Sequence, residues 1–179
     1  MAIVNQVYQK FVNDFSIVLR SKIEGLELSK LIFLCIGTDR IIGDSFGPLV
    51  GYKLKNLFSE NDDIEIIGDL ENIVSLSNVG SIISNIYNTY ETPFIIAIDS
   101  AVSNRNRIGN IIVSNSKMNV AGMYTNRKIL VGDISIKGVV SKDLKNVENN
   151  LRLLQNIPLS LIMNMSDIVA QGIYDVINV

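Results

Sequence analysis

The chain has 179 residues, of which 47% are hydrophobic and 19% are charged, and this predicts a single folded domain over residues 1–179. Its 16 Lys and Arg residues against 18 Asp and Glu residues give a net charge of −2, which argues against a nucleic-acid partner. The sequence has no His and one Cys, which excludes a Ser–His–Asp or Cys–His triad, a His- or Cys-based zinc site and an intrachain disulfide.

The N-terminal residues do not place an apolar segment after a basic one, so a secretory signal is not expected. The longest apolar runs, Leu31–Ile36 and Phe94–Ile98, are far shorter than the roughly 18 residues that span a membrane. We therefore expect a cytoplasmic protein without a membrane partner.

The first half of the chain alternates between predicted helices and strands. Apolar residues at three- and four-residue spacings predict an N-terminal helix, which we expect to form an appendage over residues 1–28. Helices are also expected from Leu49 to Phe58 and within Ile73–Tyr90. The predicted strands are Leu31–Ile36, Ile64–Ile67 and Phe94–Ile98, the last ending at Asp99. This alternation is typical of a parallel sheet that is covered on both faces.

The second half of the chain does not continue the regular alternation of predicted strands and helices. Strands are expected over Ile108–Val113 and within Ile129–Val140, where Gly132 and Gly138 could form bends or bulges. Residues 118–127 are expected to be irregular, residues 141–150 partly helical, and residues 159–179 a final helix. We predict an α/β fold, specifically a three-layer α/β/α sandwich whose mostly parallel sheet has a mixed edge.

Two acidic residues follow predicted parallel strands. Asp44 lies in the loop after the first strand and Asp99 at the end of the third. Ligands of parallel α/β sheets bind at the carboxyl ends of the strands, so neighbouring first and third strands would bring these acids together. Two carboxylates in one site can share a proton and act as an acid–base pair. The alternatives are a helix cap or Asx turn at Asp44 and a loop cap at Asp99.

The loop after the first strand contains Gly37, Gly43 and Gly47. Their spacing matches neither the dinucleotide-binding fingerprint nor the P-loop. The loop could still present backbone N–H groups to an anion or nucleotide at the start of the next helix. The favoured interpretation is that the glycines permit a tight connection between strand and helix.

Five further polar residues are candidates for supporting roles. Asp39 and Arg40 could form an ion pair that shapes the loop. Asp133 is either a third acid near the site or a turn residue. Ser45 and Ser100 adjoin the two acids, and without a base beside them they are expected to hydrogen-bond to the carboxylates rather than to act as nucleophiles.

Four blocks of the sequence resemble the YyaC-type sporulation proteins. They are CIGTDRIIGDSFGPLVG (Cys35–Gly51), AIDS (Ala97–Ser100), VGDISIKGVV (Val131–Val140) and LLQNIPLSLIMNMSDIVAQGI (Leu153–Ile173). Together they cover most of the chain after residue 30, and the N-terminal helix lies outside the strong match.

That family is similar in turn to the germination protease of bacterial spores, an atypical aspartic-type endopeptidase, and more distantly to the hydrogenase maturation endopeptidases. The blocks GDSFGP and AIDSAVSNR match those that carry the two essential acids of the germination protease, which correspond to Asp44 and Asp99. The resemblance implies a phosphorylase/hydrolase-like fold and a role in sporulation or germination in the forespore or spore core. It also implies a protein or peptide substrate, with small acid-soluble spore proteins as candidates, and leaves a homo-oligomer open.

The sequence also departs from these relatives. Hydrogenase maturation endopeptidases hold a metal with two acids and a His, and this chain has no His, so their nickel site is not intact and no metal or cofactor is predicted. A site of carboxylates alone would suit Mg²⁺ or Ca²⁺ better than Ni²⁺ or Zn²⁺. The segment SKDLKNVENN, residues 141–150, diverges from the family pattern, and Asn164 stands where a Lys is expected. The predicted function is an endopeptidase that activates water with an aspartate pair. The alternative is a non-catalytic binding or scaffold protein of sporulation on the same fold.

Overall fold

The computed structural model describes residues 2–103, 107–121 and 128–178. The helices are α1 (Ala2–Ile23), α2 (Phe46–Leu57), α3 (Val79–Thr89), α4 (Val147–Gln155) and α5 (Leu159–Ile177), and a 3-10 turn over Ile42–Asp44 precedes α2. The strands are β1 (Lys30–Cys35), β2 (Ile64–Ile67), β3 (Pro93–Ser103), β4 (Ile111–Ser114), β5 (Met118–Ala121), β6 (Lys128–Val131) and β7 (Ile134–Lys142). None of the described helices is long and apolar enough to cross a membrane.

The central sheet has the strand order β2-β1-β3-β7-β4. Strands β2, β1, β3 and β7 are mutually parallel, and β4 pairs with β7 in the antiparallel direction. Strands β5 and β6 form a separate antiparallel pair. A mostly parallel sheet with a mixed edge is thereby confirmed, and β1 and β3 are neighbours as the site prediction required.

Successive side chains of β1 enter different cores on the two faces of the sheet, because strand side chains alternate in direction. Phe33 belongs to a core shared with α1, α2, α4 and α5. Ile32 and Leu34 belong to a second core formed with α3 and the β5–β6 pair. The sheet is therefore covered on both faces, which confirms the sandwich, although one outer layer contains a single described helix and a strand pair.

The N-terminal helix α1 is part of the main core. Its residues Phe11, Phe15 and Leu19 are buried, and the Phe11 and Phe15 rings stack with their centroids 5.7 Å apart. A Cβ added to Gly172 of α5 would lie 2.7 Å from Cδ1 of Phe11, so the two helices are in close contact. Burying two aromatic rings and a leucine contributes several kcal/mol to folding, and α1 therefore helps to hold the domain together.

The prediction that the third strand ends at Asp99 is wrong. Strand β3 continues to Ser103 because β7 pairs with it along this whole stretch, with a register shift between Ala101 and Val102. Asp99 therefore lies within the strand rather than in a loop after it.

Two more expectations in the second half need correction. Residues 118–121 of the segment expected to be irregular form β5, because Met118 and Val120 are buried on one side of the β5–β6 pair; residues 122–127 lie outside the described part of the chain. Gly132, with φ +78°, forms the turn before β7. The register shift in β7 lies at Val140, two residues after Gly138, and a Cβ at Gly138 would lie 2.8 Å from the ring of Phe46.

Candidate active site

Asp44 is held at the carboxyl end of β1 by the connection to α2. The chain leaves β1, passes through the 3-10 turn that ends at Asp44, and enters α2 at Phe46. The backbone N–H of Thr38 donates to the carbonyl oxygen of Asp44 over 3.1 Å, which closes the connection on itself. Asp44 is half-buried and lies over the edge of the sheet where parallel α/β proteins bind ligands.

The three loop glycines allow this close approach. Gly37 has φ +138°, and a Cβ there would lie 2.1 Å from the carbonyl oxygen of Asp44. A Cβ at Gly47 would lie 2.0 Å from the carbonyl oxygen of Ile36, and one at Gly43 would lie 2.6 Å from the side chain of Leu154. These contacts agree with the favoured interpretation of a tight connection between strand and helix.

Ser100 bridges Asp44 and Asp99. Its hydroxyl donates to Oδ1 of Asp44 over 3.4 Å, and its backbone N–H donates to Oδ1 of Asp99 over 2.7 Å. The covalent geometry of serine places its nitrogen within about 4 Å of its hydroxyl oxygen, so these two carboxylate oxygens are at most about 10 Å apart. The structure thus brings Asp44 and Asp99 together at one place.

The two carboxyl groups affect each other's ionisation. Burial raises the pKa of Asp44, against hydrogen bonds from Ser100 and from the backbone of Thr38. Burial raises the pKa of Asp99 well above its usual range, and the negative charge of Asp44 raises it further. The Ser100 amide and the Lys137 cation act in the opposite direction on Asp99. A pair of this kind retains a proton at a higher pH than isolated carboxylates do.

Asp99 combines an enclosed carboxyl group with some access to solvent. Protein atoms surround the carboxyl group closely enough to destabilise its charged form, yet neither Asp99 nor Ser100 is completely buried. Water can therefore reach this edge of the sheet, as a hydrolytic site requires.

Ser45 does not make the hydrogen bond that was expected of it. Its hydroxyl donates over 2.7 Å to the backbone carbonyl of Ile42, because the 3-10 turn brings that carbonyl within reach. Each of the two serines beside the acids has a described side-chain hydrogen bond. Only that of Ser100 is made to one of the two carboxylates.

Asp39 and Arg40 are both exposed, and they do not pair with each other in the described part of the chain. The turn there is instead stabilised by the backbone N–H of Arg40, which donates to the Thr38 hydroxyl over 3.3 Å. The predicted ion pair is therefore wrong.

Asp133 lies at the other end of β3. Its Oδ2 accepts the backbone N–H of Ile95 over 2.9 Å, and its own N–H donates to the carbonyl of Ile95. Four residues of extended strand separate Ile95 from Asp99, a distance of about 13 Å. Asp133 is thus a turn residue before β7 and not a third acid at the site.

One acidic residue at this edge was not singled out from the sequence. Asp69 follows β2, is 4% exposed, and pairs with Lys55 while its Oδ1 accepts the backbone N–H groups of Glu71 and Asn72. Burial alone would raise its pKa, but the Lys55 contact and the two N–H donors outweigh burial and lower it. The rule that drew attention to Asp99, an acid directly after a short strand, would find Asp69 as well if one intervening glycine were allowed.

The donor set at the site is small. No group of three or more His, Cys, Asp or Glu side chains is arranged to hold a metal ion within residues 2–103, 107–121 and 128–178. Carboxylates are ligands for Mg²⁺ or Ca²⁺, which require several more oxygen donors than Asp44 and Asp99 supply.

Fold and site together define an α/β protein with two coupled carboxylates at the carboxyl edge of a mostly parallel sheet. The family described as "Protein of unknown function (DUF1256)" matches residues 3–172, and the chain belongs to that family. Over 158 residues the sequence is 31% identical to "Uncharacterized protein YyaC" of Bacillus subtilis (strain 168), an alignment that covers 87% of this chain and 74% of that protein. The resemblance to YyaC-type proteins is confirmed, and the family match includes nearly all of α1.

A likeness to a solved structure agrees with the observed fold. The NiFe hydrogenase maturation protease HycI from Thermococcus kodakarensis KOD1 superposes with a TM-score of 0.55, over 90% of this chain and 99% of that chain. The two sequences are 18% identical, so the likeness establishes a shared fold, a mostly parallel sheet flanked by helices.

Proposed function

We propose that this protein is an endopeptidase in which Asp44 and Asp99 act as an acid–base pair on a water molecule. The observation that carries the proposal is the Ser100 bridge, which joins the two carboxyl groups at the carboxyl edge of the sheet. The fold shared with a maturation protease and the match of the blocks around Asp44 and Asp99 to the germination protease support the same reaction class.

The different surroundings of the two acids suggest a role for each. The pKa of Asp99 is raised by burial and by the charge of Asp44, so Asp99 is suited to hold the shared proton. Asp44 would then be the ionised base that takes a proton from water as the water oxygen attacks the peptide carbonyl carbon. The proton on Asp99 would pass to the amine as the C–N bond breaks, which leaves the water oxygen on the new carboxyl group.

The biological setting of the proposal rests on the family resemblance. Sporulation or germination, small acid-soluble spore proteins as substrates, and the forespore or spore core as location all belong to the proposal. A homo-oligomer is a further part of it, to be tested by measuring the mass of the protein in solution.

The reaction can be tested with purified protein and small acid-soluble spore proteins in water enriched in oxygen-18. Hydrolysis is expected to produce fragments whose new carboxyl termini carry one heavy oxygen, detected by mass spectrometry. D44N and D99N are each expected to lower the cleavage rate about 100- to 10,000-fold. D133N is the matched control, because Asp133 lies at the opposite end of β3 and Asn can still accept the Ile95 N–H.

Two results would contradict the proposal. One is full activity in D44N or D99N, which would remove the pair from the reaction. The other is the absence of heavy-oxygen fragments with wild-type protein across these substrates.

A binding protein on the same fold is the second candidate, and the surface around α4 favours it. Leu144, Val147 and Leu153 are 48%, 39% and 37% exposed, and all three lie in or beside the segment that diverges from the family pattern. The three residues lie within ten positions of one another along the chain, and contiguous exposed apolar patches are common at protein-binding surfaces. A D44N/D99N double variant that still complements a deletion strain, together with L153S that does not, would favour this function over hydrolysis.

A further inference from the structure

We infer that Lys137 is a positioning residue of the site, a cation on β7 that acts on Asp99 and makes it a stronger acid within the Asp44–Asp99 pair. This inference rests on the proposed function, because acid–base catalysis by the pair requires one ionised and one protonated carboxyl group. It adds a residue from a third strand to a site so far built from the β1–α2 connection and β3.

The pairing of β3 with β7 places Lys137 beside Asp99. The two residues are direct register partners in the parallel ladder, and side chains at paired positions project from the same face of a sheet. Neighbouring strands are about 4.8 Å apart, a spacing that the four-carbon stem of lysine easily spans. On its other side Lys137 pairs with Ile112 of β4, whose apolar side chain offers no competing charge.

Lys137 also has no other described role. None of the ion pairs among residues 2–103, 107–121 and 128–178 uses it, since these join Lys10 to Asp14, Lys53 to Asp167 and Lys55 to Asp69. It is half-buried, where an ammonium group without a negative partner would be unfavourable. Among the described residues Lys137 is not within salt-bridge distance of Asp99 either, so its charge acts on the carboxyl group of its register partner at longer range.

The charges that act on Asp99 from the described neighbouring elements are Asp44, at the end of the 3-10 turn, and Lys137 on β7. The neighbouring β1 pairs with β3 through Cys35 and Ile98 and contributes no charge there. Asp44 raises the pKa of Asp99 and Lys137 lowers it. The two charges therefore act in opposite directions on the ionisation of Asp99. Without Lys137, Asp99 would hold its proton to a higher pH and would be a weaker acid toward the leaving amine.

A charge effect can be separated from a packing effect by three variants. K137M keeps most of the apolar stem and removes the charge, K137R keeps the charge, and K137Q removes the charge but retains polarity in case the methionine variant folds poorly. K53M is the control, because Lys53 pairs with Asp167 on the outer face of α2 and α5.

The test is an NMR titration of the Asp99 carboxyl carbon in full-length protein, together with the pH profile of cleavage. In K137M and K137Q we expect Asp99 to titrate at a higher pH than in wild type, and the alkaline limb of the rate profile, which reports the loss of the proton from Asp99, to move in the same direction. K137R and K53M are expected to match wild type. An unchanged Asp99 titration in both K137M and K137Q, or a K137R variant that behaves like K137M, would overturn the inference.

The titration distinguishes this inference from the proposed function. It does not require cleavage, so a wild-type protein that cleaves nothing would remove the endopeptidase while the Asp99 titration still reports on Lys137. Conversely, an active enzyme whose Asp99 titration is insensitive to Lys137 would retain the proposed function and exclude the positioning role.

Discussion

Replacing Asp99 with Asn is expected to stabilise the folded protein at neutral pH while it abolishes hydrolysis. Asn retains the oxygen that accepts the Ser100 N–H, so this contact is preserved. What is removed is a buried carboxyl group whose pKa is raised first by burial and then by the charge of Asp44. Sites arranged for acid–base chemistry are often destabilising in this way.

The geometry of the Ser100 bridge gives the magnitude. Above the folded-state pKa of Asp99 both carboxyl groups are ionised, and like charges about 10 Å apart, in surroundings with an effective dielectric constant of about 20, repel by about 2 kcal/mol. For a chain of this length, that difference in unfolding free energy corresponds to a rise in Tm of about 4–8 °C. The burial of Asp99 adds to the stabilisation in the same direction.

The pH dependence of the effect has a definite sign. Because the folded-state pKa of Asp99 lies above its ordinary value of 3.8, the folded wild type binds more protons than the unfolded chain between these two values. Wild-type stability therefore falls as the pH rises through that window. The advantage of D99N should be complete above it and should vanish below pH 3.8, where Asp99 is neutral in both states.

Urea unfolding of wild type, D99N and the control D133N at neutral and acidic pH measures this prediction. A D99N protein that is less stable than wild type at neutral pH would refute the reasoning, since Asp99 would then be a net stabilising charge. An advantage that persists unchanged below the ordinary pKa would also refute it, because the gain would not come from ionisation.

Three further changes have expected outcomes. Ser100→Ala removes the hydroxyl that donates to Asp44 and should lower the rate of cleavage about tenfold, measured as kcat, with a loss in unfolding free energy of about 1 kcal/mol. Gly47→Ala places a Cβ 2.0 Å from the carbonyl oxygen of Ile36, and the forced shift of α2 should cost at least about 2 kcal/mol by urea unfolding. Asp69→Asn breaks the pair between the buried Asp69 and the exposed Lys55 and should cost about 1–3 kcal/mol at neutral pH. Because the Lys55 contact and the N–H donors outweigh burial and lower the pKa of Asp69, this cost should disappear as the pH falls through the folded-state pKa.

The sequence was sufficient to predict the elements that local patterning determines. Strand β2 was predicted with its observed bounds of Ile64–Ile67, because it is a short isoleucine-rich segment that follows an acidic turn. The approach of Asp44 to Asp99 could also be predicted from the sequence, since the carboxyl ends of parallel strands share one edge of the sheet. Their proposed roles in catalysis stay a prediction.

Long-range pairing was not predictable from the same patterns. The continuation of β3 past Asp99 depends on β7, whose position beside β3 no local signal specifies. For the same reason Lys137 gave no signal as a single lysine in a β-rich block, and Asp133 could not be assigned to the far end of the sheet. Ser45 and Ser100 each follow an acidic residue, and their different hydrogen bonds depend on the 3-10 turn and on β3, respectively.

The coupling of Asp44 to Asp99 is the central claim, and an NMR titration of the Asp99 carboxyl carbon in wild type and in D44N tests it most directly. Removal of the Asp44 charge should lower the pH at which Asp99 titrates, because that charge raises the pKa of Asp99 in the wild type. An Asp99 that titrates at the same pH in both proteins would contradict the account, since two carboxyl groups that do not sense each other cannot share a proton.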